Sequence, residues 1–107
     1  MEKGVYVDER FLAKEIGSSG LTKEGNEILF VRVKKQFFTA NPEAKIVLVP
    51  GVLLAIGHVA QQVERTGKSY PKLGYLAALE VHRISTAPNG DWLIEGYRDT
   101  HYRREFV

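Results

Sequence analysis

Histidines are the residues of this chain with the most direct chemical use, because imidazole binds metals and transfers protons. His58, His82 and His101 are far apart in the sequence and lack the spacing of a zinc-binding motif. The chain contains no cysteine, which excludes disulfides, thiolate metal sites and a cysteine nucleophile. We therefore expect no metal and no other cofactor.

Polar and cationic residues follow His58 at intervals that place them on one face of a predicted helix. Gln62 and Arg65 lie one and two helical turns beyond His58, and the loop after the helix adds Lys68 and Lys72. Guanidinium and ammonium groups arranged in this way suit phosphate oxygens. A solvated helix face that ends in a basic turn has the same appearance and is the default for exposed charge. Both interpretations stay open.

The C-terminal tail interleaves cationic and aromatic groups, a mixture that can hold backbone phosphates while rings stack on bases. An edge strand whose charges prevent sheet-to-sheet pairing looks the same in sequence. Acidic Glu95, Asp99 and Glu105 dilute the positive charge, so the structural interpretation ranks first. The candidate ligand-binding residues of the tail are Arg98, His101, Tyr102, Arg103 and Arg104.

Composition limits the classes of protein to which this chain can belong. Its 107 residues provide for one α+β domain with a modest core. The net charge of +2 makes any basic surface a local patch rather than a dedicated duplex-DNA-binding face. No stretch approaches the ~20 apolar residues needed to cross a bilayer, and the N-terminus has no apolar segment of signal-peptide length. We expect a cytoplasmic protein that does not enter a membrane.

Hydrophobic periodicity predicts the element order β-α-β-β-α-β-β, which describes an antiparallel or mixed sheet with two helices packed on it. Val5–Val7 predicts the first strand, and Glu9–Ile16 predicts a short helix with Asp8 as its cap. The alternation over residues 27–38 predicts a half-buried strand. The apolar run 45–49 predicts a strand covered on both faces.

The second half of the chain contains the predicted main helix and a hairpin. Val52, Ile56, Val59 and Val63 recur at helical spacing, and Gly67 is a typical helix end. This helix would carry His58 in its interior. Residues 75–85 and 92–97 predict two strands joined by a turn, whose Asn-Gly pair tolerates the positive φ that such turns need.

The segment Ala55-Ile56-Gly57-His58, in a predicted helix after a strand, resembles a motif of the small viral anti-CRISPR ring nucleases. The opening strand, Val5–Val7, also looks like the first strand of that family. Members are dimeric α/β proteins that bind cyclic tetra-adenylate and cut it. The resemblance implies a homodimer, a cyclic oligoadenylate ligand, and His58 as the general acid at the scissile phosphate.

Three functions follow from these patterns. Several cationic patches without a catalytic constellation favour a non-enzymatic module, which binds a protein or nucleic-acid partner through the tail and the loop after the main helix. His58 is then a structural histidine bonded to a neighbouring group. The alternative is a metal-independent ring nuclease in which Arg65 and Lys68 hold phosphate and His58 acts on it. A third hypothesis is an assembly protein whose exposed strand edges pair with other subunits.

Overall fold

The computed structural model of the protein describes residues 4–63, 65–73 and 76–100, with the backbone alone for 59–63 and 70–73. The strands are β1 (Gly4–Asp8), β2 (Gly17–Leu21), β3 (Glu27–Val33), β4 (Leu53–Gly57), β5 (Val59–Val63), β6 (Ser69–Leu73), β7 (Ala77–Thr86) and β8 (Trp92–Arg98). The helices are α1 (Lys35–Ala40) and α2 (Ala44–Val47).

Six of these strands form one mixed sheet in the order β1-β4-β7-β8-β3-β2, and β5 and β6 form a separate two-stranded sheet. β1 and β4 run parallel, whereas the other neighbouring pairs are antiparallel. The expected α+β class and the mixed sheet with two helices are confirmed for the described residues. The expected order β-α-β-β-α-β-β was wrong, because several segments adopt the other kind of element.

The core lies between one face of the six-stranded sheet and the two helices. Leu29 and Val31 of β3 are buried at alternate positions, and Phe37 and Phe38 of α1 belong to the same cluster. Phe38 also stacks on Trp92, with ring centroids 4.1 Å apart. Further strand residues in this cluster are Val5, Val7, Val33, Leu54, Ile56, Leu79, Val81 and Ile94. The helices therefore cover one face of the sheet.

The strand predicted over residues 27–38 ends at Val33, and α1 begins at Lys35. Phe37 and Phe38 are adjacent and both buried, whereas successive side chains of a strand point to opposite faces. A helix buries both rings in the same core. The Asp91 carboxylate also accepts the Lys35 N–H at 3.2 Å, which fixes the point where the helix starts.

The predicted strand 45–49 and the predicted main helix are both corrected by the structure. Ala44–Val47 is α2, a single turn that follows Pro42 and begins with Ala44 and Lys45, which are good helix formers. The segment from Val52 instead forms β4 and β5. All of 54–57 is buried, and a strand covered on both faces has a continuous apolar run that periodicity cannot distinguish from a helix.

The helix predicted over Glu9–Ile16 shrinks to a single 3-10 turn, Glu9–Phe11. Asp8 does cap this turn, since its Oδ1 accepts the Arg10 N–H at 3.0 Å. The residues that follow the turn pair with the end of β3 instead of continuing the helix. Two segments interpreted as loops, around 18–20 and 67–72, contribute to β2 and β6.

The C-terminal hairpin was predicted correctly and is formed by β7 and β8. Its turn is closed by Ala87, whose N–H donates to the Asp91 carbonyl at 2.8 Å. Gly90 has φ of 94°, a value that favours glycine. Within the described residues, no helix has the length and apolar character needed to span a membrane.

Candidate functional site

A β-bulge in β7 brings two polar side chains together on one face of the sheet. The register shifts between Val81 and Arg83, which leaves His82 as the extra residue. Arg83 donates to the Glu95 carboxylate at 3.3 Å, and the His82 ring lies 5.2 Å from the Tyr97 ring. Bulges are over-represented next to functional sites, where they re-aim side chains.

These residues lie on the face of the sheet opposite to α1 and α2. Val31 and Ile94 point into the core, so their neighbours along β3 and β8 point to the other side. Phe30 is 38% exposed there and lies opposite Glu95 in the ladder. We call the part of this side formed by β3, β8 and β7 the open face. Its described side chains include Phe30, Arg32, Glu80, His82, Arg83, Ser85, Leu93, Glu95 and Tyr97.

A groove of about 350 Å³ crosses the open face. Phe30 and Leu93 give it apolar surface, and Lys14, Arg32 and Arg83 give it cationic groups. The other lining residues are Val31, Ser85, Ile94 and Glu95. An apolar surface with a few converging polar groups is typical of a ligand-binding cleft.

The three cations of the groove differ in how far they are already neutralised. Arg32 donates from Nε to Asp91 at 2.9 Å, so its charge is balanced by a buried carboxylate. The Arg83 side chain is 70% exposed, and its one contact within the described residues is Glu95. Lys14 is exposed. Arg83 and Lys14 are therefore the cations best able to bind an anion, while Arg32 is fixed in the groove wall.

The Arg32 guanidinium is held in place by the turn of the β7–β8 hairpin. It donates to Asp91 Oδ2 and, at 3.3 Å, to the Asn89 side-chain oxygen. The Arg32 hydrogen bond lowers the pKa of Asp91, and the Asn89 side chain and the Lys35 N–H lower it further, against the opposing effect of burial. The turn that contains Asn89 and Asp91 thus holds the Arg32 side chain in the wall of the groove.

His58 lies between β4 and β5 rather than inside a helix, so the predicted helix face does not exist. Its Nδ1 is 3.1 Å from Glu9 Oε1, and its side chain is 60% exposed. The carboxyl ends of parallel strands meet at one edge of a sheet, which is why Glu9, after β1, reaches His58, after β4. Glu9 is therefore a neighbouring partner of His58, and the structural and catalytic roles of this histidine both stay predictions.

The segment that reaches His58 carries two carboxylates, Asp8 and Glu9, and one cation, Arg10, whose Nε is 4.0 Å from Asp8 Oδ2. Burial first, and then the charges of Asp8 and Glu9, raise the pKa of Tyr6. A shallow groove of about 440 Å³ beside Glu9 includes Lys14 and Glu15. Among the described residues, no group of three or more His, Cys, Asp or Glu side chains could hold a metal ion.

The predicted cationic stripe lies on a hairpin instead of a helix. In this hairpin, Gln62 of β5 pairs with Tyr70 of β6, and Ala60 of β5 pairs with Lys72 of β6. Gln62 and Lys72 therefore lie two ladder positions apart. Arg65 and Lys68 are exposed between the two strands. Gln62, Arg65, Lys68 and Lys72 therefore all belong to the β5–β6 hairpin, and strand pairing rather than helical spacing brings them together.

The predicted tail residue Arg98 is engaged within the sheet. It donates to the Glu27 carboxylate at 2.5 Å, and this bond, with one from Ser18, lowers the pKa of Glu27. Since Arg98 follows Tyr97 in β8, it lies on the side opposite to the open face. The Arg98–Glu27 ion pair joins the end of β8 to the beginning of β3. The candidates His101, Tyr102, Arg103 and Arg104 lie outside the described residues.

The residues of the open face were not predicted as a site, although the sequence contained a signal. Phe30 is an aromatic residue on the polar side of a half-buried strand, a position where a polar residue is usual. Arg32 lies on the same side of this strand. The bulge at His82, which adds Arg83 to this face, has no local sequence signature.

Comparison with known proteins gives no match to a protein-family model, to a curated protein or to a solved structure.

Proposed function

We propose that this chain is a non-enzymatic nucleic-acid-binding module and that the open face is its binding surface. The observation that carries the proposal is the groove, which combines an exposed ring with unbalanced cationic charge on the side of the sheet that the helices leave uncovered. A guanidinium has five N–H donors, and Glu95 accepts from Arg83 through one nitrogen. The remaining donors suit phosphate oxygens.

A nucleic acid fits this surface better than the acidic edge around His58. Asp8 and Glu9 carry two carboxylates there against the one cation of Arg10. In the groove, Glu95 accepts from Arg83 and Asp91 accepts from Arg32, which leaves the charge of Lys14 as the surplus. The groove has few cations, which agrees with a net charge of only +2. The protein should therefore contact only a few phosphates of the nucleic acid.

The test is fluorescence anisotropy with labelled oligonucleotides of mixed sequence, at about 50 mM salt, where phosphate contacts are strongest. Lys14→Gln and Arg83→Gln are each expected to weaken binding. Lys45→Gln is the matched control, because Lys45 is exposed on α2, on the covered side of the sheet. The proposal fails if the unaltered chain binds no oligonucleotide, or if the control weakens binding as much as Lys14→Gln does.

A second candidate function is a metal-independent ring nuclease that binds and cleaves cyclic tetra-adenylate. The observation that favours it is the contact of His58 with Glu9. A carboxylate that holds one ring nitrogen orients the other toward a substrate, as in other acid–base pairs. The neighbouring ribose 2′-hydroxyl would attack phosphorus and lose its proton to water, and His58 would donate a proton to the 5′-oxygen as its bond to phosphorus breaks.

This candidate is tested by incubating the chain with cyclic tetra-adenylate and separating the products by chromatography. His58→Ala should abolish turnover and spare binding, and Glu9→Gln should slow turnover. Glu24→Gln removes an exposed carboxylate elsewhere and should have no effect. Turnover that survives His58→Ala would refute the catalytic role of this histidine.

Homodimerisation stays a proposal of the same kind. β1 and β2 are the outer strands of the six-stranded sheet, and an outer strand can pair with a second copy. Sedimentation over a range of concentrations measures the outcome: a dimer that persists on dilution supports it, and a monomer at every concentration refutes it.

A further inference from the structure

Three rings lie on three neighbouring strands of the open face. Phe30 belongs to β3, Tyr97 to β8 and His82 to β7. Tyr97 and His82 are in contact, with centroids 5.2 Å apart and planes at 41°. Phe30 is opposite Glu95, two residues before Tyr97, and such diagonal neighbours are within reach of aromatic side chains. The rings form a row across the strands.

The row is accessible from the solvent side. His82 is exposed, and Phe30 retains 38% of its accessible surface. The residue opposite Phe30 on β2 is Gly17, so no side chain at that register position covers the ring. Strands are about 4.8 Å apart, so rings on three of them span roughly 10 Å. That length suits two or three stacked bases.

The bulge in β7 places a cation directly beside this row. His82 and Arg83 are consecutive, yet the first contacts Tyr97 and the second contacts Glu95, both on the open face. Without the extra residue, the side chains would alternate between the two faces of the sheet. The bulge therefore joins a stacking surface to an anion-binding group.

We infer that the partner of the open face is single-stranded nucleic acid, with bases stacked on Phe30, Tyr97 and His82 and phosphates held by Arg83 and Lys14. The inference rests on the proposed function and names its substrate class. In a duplex the faces of the bases are hidden by their neighbours, and only phosphates and base edges are offered. In a single-stranded nucleic acid the bases can separate from one another, so each base can stack on a ring of the row.

The experiment compares a labelled single strand of about 12 nucleotides with a duplex of the same length, using the full chain at one salt concentration. Phe30→Leu removes the ring and keeps an apolar side chain, and Phe30→Tyr keeps a ring. We expect Phe30→Leu to weaken single-strand binding roughly 5- to 150-fold and Phe30→Tyr to retain it. Duplex binding should be weaker and insensitive to Phe30→Leu.

The outcomes separate this inference from the proposed function. Arg83→Gln is expected to weaken both forms, since phosphates are common to them. If Arg83→Gln weakens binding but Phe30→Leu does not, or if the duplex binds as tightly as the single strand, stacking is refuted and the binding module survives. If neither form binds the unaltered chain, the proposed function itself fails. A thermal melt of Phe30→Leu checks that this variant is folded.

Discussion

Asp91 connects three parts of the chain through one carboxylate. It accepts hydrogen bonds from Arg32 Nε at 2.9 Å, from the Asn89 side chain at 3.1 Å and from the Lys35 N–H at 3.2 Å. Its residue is only 6% exposed, so the charge would be costly without these donors. One ionised group therefore supports three features: the start of α1, the β7–β8 turn and the position of Arg32 in the groove wall.

The pKa of Asp91 predicts how stability changes in acid. Because these hydrogen bonds lower that pKa below its ordinary value of 3.8, the ionised group stabilises the folded state above that value. The contribution is lost as the pH falls through the lower folded-state pKa. Urea unfolding from about pH 5 to about pH 2 should show a falling free energy of unfolding. Asp91→Asn should lower this free energy at neutral pH and make the decline shallower.

Glu24→Gln is the control for this experiment, since Glu24 is exposed in a turn and should leave the acid dependence unchanged. Glu27 contributes a dependence of the same sign, because Arg98 lowers its pKa as well. Part of the decline should therefore remain in Asp91→Asn. A variant whose acid dependence equals that of the unaltered chain would show that Asp91 does not set it.

At the scale of elements, the sequence predicted what local chemistry determines and missed what tertiary packing determines. The β7–β8 turn combines a glycine at positive φ, Gly90, with hydrogen bonds between Asn89 and Asp91, all within one short stretch of sequence. The run from Val52 is apolar at helical spacing, but its burial comes from β1 and β7 on either side of β4. No window of sequence contains those neighbours. The open face was missed for the same reason, because cross-strand register and a bulge assemble it.

The close packing of β7 on β8 beside the bulge yields a second prediction, at Gly96. A Cβ added there would lie 2.3 Å from the Glu80 carbonyl oxygen and 2.7 Å from Leu79 Cδ1. The first of these is backbone and cannot move without displacing β7. Gly96→Ala should therefore lower the free energy of unfolding by about 1–3 kcal/mol or more. In Gly17→Ala, the control, the nearest atom is 3.9 Å away. Equal urea midpoints for the two variants would contradict the packing argument.

At the scale of the whole molecule, charge is distributed unevenly although its sum is only +2. Asp8 and Glu9 are consecutive residues at the carboxyl end of β1, at one edge of the sheet. Arg83 lies at the open-face groove, and Lys14 lines both this groove and the one beside Glu9. A polyanion should therefore approach the molecule from one side.

The salt dependence of binding follows from the number of cations on that side. Each phosphate neutralised on a single strand contributes about 0.7 to the slope of log affinity against log salt. Two contacts, from Lys14 and Arg83, give a slope of about −1.4 and an affinity loss of roughly 7-fold between about 50 and 200 mM salt. Lys14→Gln should make the slope shallower by about 0.7, whereas Phe30→Leu should shift the line without changing its slope. A slope near zero would contradict phosphate contact. A slope far steeper than about −1.4 would show that cations outside the groove, such as Arg65 and Lys68, also contact phosphate.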